Sequence, residues 1–498
     1  MTSEWDFIVV GSGFGGSVSA LRLAEKGYRV LVLEKGRRFA PEDFPKTNWD
    51  LKRWMWQPRL GWRGLFKMTF LPHVTVVSGV GVGGGSLVYA NTLPIPKDDF
   101  FEARSWGGLR DWKSELLPHY QSARRMLGAT ENPLRTPHEE VLQSIARDLG
   151  REDHYSPTTV AVYFGRPGER VKDPYFGGEG PDRTGCIACG GCMIGCRFNA
   201  KNTLDKNYLW FAEKKGCVIR PDAEVTWVRP REGGGYEVET REGAEPFNRD
   251  RGRYTARNVV FAGGVLGTVK LLLELQNSPD GLPRLSPRLG DFVRTNSEAL
   301  IGVTTSRRDR DFSKGIAIGS ILHTDQHSHL ELVRYPEGSG FFRLMGAPHV
   351  DGVTAFTRLA RTITALVRNP IRALRAYLVP DWAKYTMILL YMRTLEGHLK
   401  LRRGRHLTTG FAKGMTTALQ EGPAPTANIP EATELAHRVE QKIDGSAQTL
   451  LTETLLGIPT TAHILGGCCM GESPETGVID HRHRVFGYEG LYVIDGSA

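Results

Sequence analysis

The sequence predicts an α/β protein in which a Rossmann-like dinucleotide-binding domain is assembled from separated segments around an inserted second domain. Three observations lead there. The chain opens with a complete βαβ unit around GSGFGG. A second strand, glycine turn and helix, NVVFAGGVLGTVKLLLEL, lies more than 200 residues further on. At 498 residues the chain is also too long for one hydrophobic core.

In chain order, Asp6 to Val10 read as an apolar strand, a helix follows from about 17 to 26, and RVLVLEKG is the second strand, ending in Glu34. Gly11 makes the tight turn, Gly13 lets the backbone approach a pyrophosphate, and Gly16 lets helix and strand pack closely. The helix N-terminus then faces the phosphates. Glu34 is placed to accept hydrogen bonds from the ribose hydroxyls of an adenosine. A second glycine run, GVGVGGGSLVYAN, places Gly83 and Gly84 ahead of Ser86 and Asn91. With no side chains over that stretch, a flat ring or a pyrophosphate can lie against it; a plain tight loop is the alternative. Residues 97–150 read as helical, with Trp112, Leu116, Leu117 and Tyr120 on one face. NTLDKNYLWFAEKKG is a further helix, and strands follow around VIRPDAEVTWVRP and GYEVET, joined by a polar hairpin near Gly233.

The run GCIACGGCMIGC holds Cys186, Cys189, Cys192 and Cys196 in a C-x2-C-x2-C-x3-C spacing. Bacterial ferredoxins hold iron–sulfur clusters this way. Zinc prefers two knuckles separated by a dozen or more residues, so an iron–sulfur cluster is favoured over zinc or an empty reduced loop. Only one such run exists. Cys196 therefore folds back onto a [4Fe–4S] cluster, or three cysteines hold a [3Fe–4S] cluster, or Cys217 supplies the fourth ligand. Arg197 stands where ferredoxins carry proline.

Composition bounds the rest. The chain is 40% hydrophobic and 24% charged, as in ordinary globular proteins. No apolar run is long enough to span a membrane. The acidic start enters a strand at once, with no room for a secretory signal, which implies a cytoplasmic protein. Seven cysteines, four of them clustered, argue for metal binding over a disulfide framework. Between Arg358 and Arg405 eleven Lys/Arg face two acids, which accounts for the net charge of +9. Apolar residues recur there at helical spacing with arginines between them, and Pro370 and Pro380 break the segment. A solvated helical face is the ordinary reading. Contact with an anionic membrane surface is the sharper one. Nucleic acid is disfavoured, because the arginines sit among large aliphatic residues.

The stretches DFIVVGSGFGGSVSALRLAEKG, GVGVGGGSLVYANT, FAGGVLGTVKLLL, HILGGCCMG and GLYVIDGS resemble the glucose–methanol–choline oxidoreductases, most closely the bacterial cholesterol oxidase branch. They run in family order along the whole chain. The resemblance implies FAD rather than NAD, and a substrate domain built on an antiparallel sheet with helices. The FAD-binding domain is expected to comprise residues 1–95, 200–296 and 463–498, with a substrate domain of 97–185 and 297–462. The cysteine loop (186–196) and the basic amphipathic segment (355–405) complete the map. The resemblance further implies that His463 is the active-site base, that Glu331 is a carboxylate in the substrate pocket, that Val225 contacts adenine through its backbone, and that Asp495 lies beside the flavin. Asn91 faces the flavin or caps a turn. A neutral-range histidine suits removal of a hydroxyl proton while hydride leaves the carbon for flavin.

Two departures from the family stand out. Its Asn-Pro stretch after Asp-Gly-Ser, which partners the catalytic His, has no counterpart in a sequence that stops at Ala498. Either the tail is not represented, and its loss exposes apolar surface, or the molecule is impaired. The cysteine run is absent from flavin-only cholesterol oxidases, whereas sugar dehydrogenases of the wider family carry a comparable cluster and pass electrons to a protein acceptor. The expectation is therefore oxidation of a lipophilic secondary alcohol, such as a 3β-hydroxysteroid like cholesterol, with electrons leaving through the cluster or to oxygen. A sugar or polyol dehydrogenase, and a flavin- or lipid-binding protein without turnover, are the alternatives.

Overall fold

A computed structural model describes residues 4–103, 105–245, 250–352, 354–394 and 397–498. Two seven-stranded sheets organise them. The first has a parallel centre: Val218–Arg220, Val30–Leu33, Trp5–Val10 and Asp250–Phe261 lie side by side, and Leu491–Val493 adds to the last of these. Tyr236–Glu242 and Ala223–Pro230 extend it as an antiparallel ribbon. The twelve-residue strand Asp250–Phe261 joins the two halves, pairing antiparallel along its first part and parallel along its second. Both faces of the parallel strands are buried, as βαβ crossovers require. Ile8, Leu31, Val259 and Phe261 face one core, and Val9, Val32 and Val260 face the other.

The second sheet is antiparallel throughout. Its order is Gly346–Pro348, Gly445–Leu450, Ala299–Thr305, Thr386–Arg393, Ser328–Val333, Ile318–His323 and Tyr155–Pro157. Side chains alternate across it with period two. Ile301, Val303, Leu330, Leu332, Met387 and Leu389 pack against the helices Pro137–Asp148 and Pro430–Ile443. Their neighbours Leu300, Glu331, Val333, Ile388, Leu390 and Met392 point the other way, into a cavity. Alternation thus settles which face Glu331 occupies.

Several local readings change. The first helix begins at Phe14, three residues early, and NTLDKNYLWFAEKKG splits into a short turn and the helix Tyr208–Lys214. In the helix Trp112–Met126, Trp112 is buried but Leu117 is exposed, so the proposed face is narrower than its spacing suggested. Among the described residues, no helix is long and apolar enough to cross a membrane.

Candidate active site

A single cavity of about 1950 Å³ runs between the two sheets. Its first half is the glycine-rich cradle. Gly11 has φ +101°, and a Cβ there would sit 2.4 Å from the Ala262 carbonyl oxygen. Gly13, by contrast, meets no protein atom within 4 Å and faces the cavity. At Gly16 a Cβ would lie 2.0 Å from Gly11 O, which is why helix and strand can pack so closely. Glu34 is buried at the cavity edge; its Oε2 accepts from Ser12 N (3.0 Å) and Ser12 Oγ (2.7 Å), and its Oε1 from Gly36 N (2.9 Å). Lys35, Lys67 and Lys270 also line the space. Repulsion from Lys35, then burial, lowers Lys67 to about 7.

The second glycine run divides its tasks. Gly84 and Gly85 line the cavity. Gly83 and Ser86 lie one layer behind. Gly83 N donates to Ser12 Oγ (3.1 Å), Ser86 Oγ donates to Gly83 O (2.6 Å), and Leu204 N donates to Ser86 Oγ (3.1 Å). Val225 lines the cavity beside a β-bulge, where the ladder to Tyr236–Glu242 is interrupted. Asp495 joins the chain's last strand to the second glycine turn: its Oδ2 accepts from Gly264 N (2.8 Å) and Thr268 Oγ1 (2.6 Å), and its Oδ1 from Ser497 N (2.8 Å). A side-chain-free cradle at a helix N-terminus, a buried acid at the strand end and nearby lysines fit a dinucleotide with its pyrophosphate.

The other half of the cavity is walled by Leu300, Ile318, Val333, Ile388, Leu390 and Met392. His463 and Glu331 meet there. Glu298, which no sequence motif marked, completes the group. Its Oε2 lies 3.2 Å from His463 Nδ1, and its Oε1 accepts from Ala462 N (3.1 Å). Glu298 is 2% exposed, whereas 43% of the His463 side chain remains accessible because it opens into the cavity. Burial alone would depress the His463 pKa. The charge and hydrogen bond of Glu298, with Glu331 behind them, outweigh burial and raise it. Glu331 is pushed up to about 7, by burial against the opposing pull of His463. Nearby His329 falls to about 4 through burial and repulsion from His323. The site therefore sets an imidazole with its Nδ1 against Glu298, beside a second carboxyl pushed up to about 7. Only the fold brings Glu298 to His463, 165 positions later in the chain.

The cysteine loop packs against the wall of this cavity. Cys192 lies beside Asn91, which is buried with φ +73° and does not line the cavity. None of the seven cysteines is in a disulfide. Ala188 N reaches Cys186 Sγ and Ala200 N reaches Cys196 Sγ, each at 3.4 Å; Gly191 and Ala317 backbone groups serve Cys189 and Cys192. Burial lifts Cys186 to about 12 and Cys189 to about 11. Among the described residues, no group of three or more His, Cys, Asp or Glu is arranged to hold a metal ion, so neither zinc nor an iron–sulfur cluster is shown at the run. Cys217 stands apart from the other four. It packs with Leu209 and Ala212 in the core beside the parallel sheet, whereas Cys186, Cys192 and Cys196 border a different core.

The sequence profile of GMC oxidoreductases matches residues 180–278 and 385–498, and that of an NAD(P)-binding Rossmann-like domain matches 9–42. A cholesterol oxidase of Acinetobacter baumannii is 43% identical over 99% of this chain and 90% of its own length. One of Mycobacterium tuberculosis (strain ATCC 25618 / H37Rv) is 43% identical over 100% of this chain and 87% of its own. A 2-methyl-1,2-propanediol dehydrogenase of Mycolicibacterium austroafricanum is 24% identical over 99% of this chain and 91% of its own. The crystal structure of pyridoxine 4-oxidase from Mesorbium loti shares the fold, with TM-score 0.59 and 16% identity over 99% of this chain and 94% of that one. Cradle, antiparallel sheet and matches agree: the chain belongs to the GMC oxidoreductase family and is an FAD-dependent alcohol oxidoreductase.

Proposed function

We propose that the protein oxidises a lipophilic secondary alcohol, most specifically a 3β-hydroxysteroid such as cholesterol, with His463 as the base. The observation that carries this reading is one cavity that joins the dinucleotide cradle to an apolar chamber, with His463, Glu298 and Glu331 among its walls. The names of the relatives at 43% identity support a sterol. Gly11, Gly13, Glu34, Gly84, Val225 and Asp495 would hold FAD, which supplies the hydride acceptor when bound.

The chain's own residues divide the remaining work. The apolar wall excludes water and seats a ring system. Glu298 accepts a hydrogen bond from His463 Nδ1–H, so the unprotonated Nε2 is the atom that takes the hydroxyl proton. Glu331, near its own midpoint at neutral pH, can hold a hydrogen bond to the substrate in either state. The apolar walls disfavour a sugar or polyol. A flavin- or lipid-binder without turnover is separated by assay. Turnover of cholesterol with oxygen or a dye acceptor should fall at least ~100-fold in His463→Ala, with flavin content retained. Glucose turning over faster than any sterol, or no turnover of any alcohol, would overturn the reading.

A second element concerns where the electrons go. An iron–sulfur cluster at Cys186, Cys189, Cys192 and Cys196 would pass them singly to an acceptor protein; oxygen is the other exit. Two observations favour it. Each thiol meets a backbone N–H, and the buried Lys201 ammonium sits alongside, bonded to Leu87 O (3.0 Å) and Cys192 O (2.8 Å). Iron and acid-labile sulfide analysis of anaerobically purified protein decides it, and flavin without iron removes the cluster.

A further inference from the structure

The helix Ala355–Arg368 is mounted with its polar side inward. Phe356, Leu359, Ile363 and Val367, spaced as one helical stripe with Leu366 beside them, all face solvent, and Phe356 and Val367 are 80% and 75% exposed. The buried positions are Arg358 and Thr362. Arg358 explains the mounting. Its Nε donates to Thr454 O (2.8 Å), its Nη1 to Gly352 O (2.9 Å) and its Nη2 to Leu455 O (3.2 Å), which fixes the helix on the carbonyl end of Leu451–Leu456. The apolar surface continues past Pro370 through Ile371 and Leu378, 76% and 65% exposed. An ordinary surface helix turns its aliphatics in; this one turns them out and buries Arg358, while Arg361 and Arg368 stay on the exposed side.

Charge and position identify what covers it. Between Ala355 and Pro380 the only charged residues are Arg358, Arg361, Arg368, Arg372 and Arg375. Arg361, Arg372 and Arg375 pair with Asp351, Glu440 and Asp444 on neighbouring elements, and Arg358 is buried, which still leaves arginines in excess of acids along this face; an apolar stripe with that excess complements a bilayer with anionic headgroups. The segment is also bound to the cavity wall. Gln448 Nε2 donates to Ala373 O (3.0 Å), Arg343 Nη1 to Val379 O (3.2 Å), and Tyr377 Oη to Gly346 O (2.6 Å). Gln448, Arg343 and Gly346 all line the cavity.

We infer that residues 355–378 form a docking surface for an anionic phospholipid bilayer, which sets the substrate cavity beside the membrane. The proposal rests on the lipophilic-alcohol reading for its purpose, but its test does not, because binding is measured without turnover. The full chain is sedimented with phosphatidylcholine vesicles, with and without phosphatidylglycerol. Binding should need the anionic lipid, weaken with salt, and fall at least ~10-fold in Phe356→Ser/Val367→Ser, whose side chains make little contact with the rest of the fold. Turnover of detergent-solubilised alcohol should be the same in variant and wild type. No binding to either vesicle, or equal binding by the variant, overturns the proposal. A wild-type dimer that the same variant converts to monomer also overturns it, by giving the face to a second copy.

Discussion

At the residue scale, the site's chemistry turns on carboxylates whose environments differ. Glu298 raises the His463 pKa by charge and hydrogen bond, so with His463 as the proposed base, Glu298→Gln should weaken it. The acidic limb of the kcat/KM profile, which reports neutral His463, then moves to lower pH and the plateau falls at least ~10-fold. An unchanged limb would place the base elsewhere. Glu453 behaves differently. It is fully buried, accepts from Thr460 N (3.0 Å), and burial lifts it to about 8. A carboxyl that stays protonated in the native state destabilises the fold as pH rises, because the unfolded chain sheds that proton from about 4.5 upward. Glu453→Gln keeps the acceptor and removes the titration. Its thermal midpoint should match wild type at pH 5 and exceed it by about 2–4 °C at pH 8.

Elements show how much local pattern decides. The βαβ opening was legible because turn, helix and terminal acid stand in fixed order. Glycines inside that motif nevertheless do different things, and two variants separate them. At Gly15 a Cβ would lie 1.7 Å from the Ile494 carbonyl oxygen, so Gly15→Ala should cost about 1–3 kcal/mol of stability. At Gly13 the space beyond is cavity. Gly13→Val should leave the melting temperature of flavin-free protein near wild type and lower flavin content of the purified protein. The reverse pattern would misplace the cofactor. In GVGVGGGS, spacing could not say which residues face the cavity. Gly84 does, while Gly83 and Ser86 are held behind it by bonds to Ser12 and Leu204. The amphipathic pattern of 355–368 was also legible, but periodicity cannot say which side of a helix faces in; Arg358 decides that.

For the whole molecule, the apolar half of the cavity is walled by one face of the antiparallel sheet, and a buried ion pair ties that sheet to the helix packed on its other face. Arg334 supplies the cation. It is 1% exposed and bonds Glu139 Oε1 (2.7 Å), Thr136 Oγ1 (2.8 Å) and the Lys314 carbonyl, tying the strand Ser328–Val333 to the helix Pro137–Asp148. Arg334→Met leaves Glu139 buried without its cation and should cost about 3–5 kcal/mol, read by denaturant unfolding. Glu139→Gln with Arg334→Met should recover part of that loss.

By itself the sequence determined the α/β class, the nucleotide cradle, the family and the candidacy of His463, because each rests on residues close together in the chain or on motifs in fixed order. The tertiary structure alone decided that Glu298 holds His463, that Glu331 faces the cavity, that Cys217 stands apart from the other four thiols, and that the arginine-rich helix turns its apolar face outward. Those facts depend on contacts between segments far apart in the chain and on which face of an element is buried, and neither is encoded in local spacing.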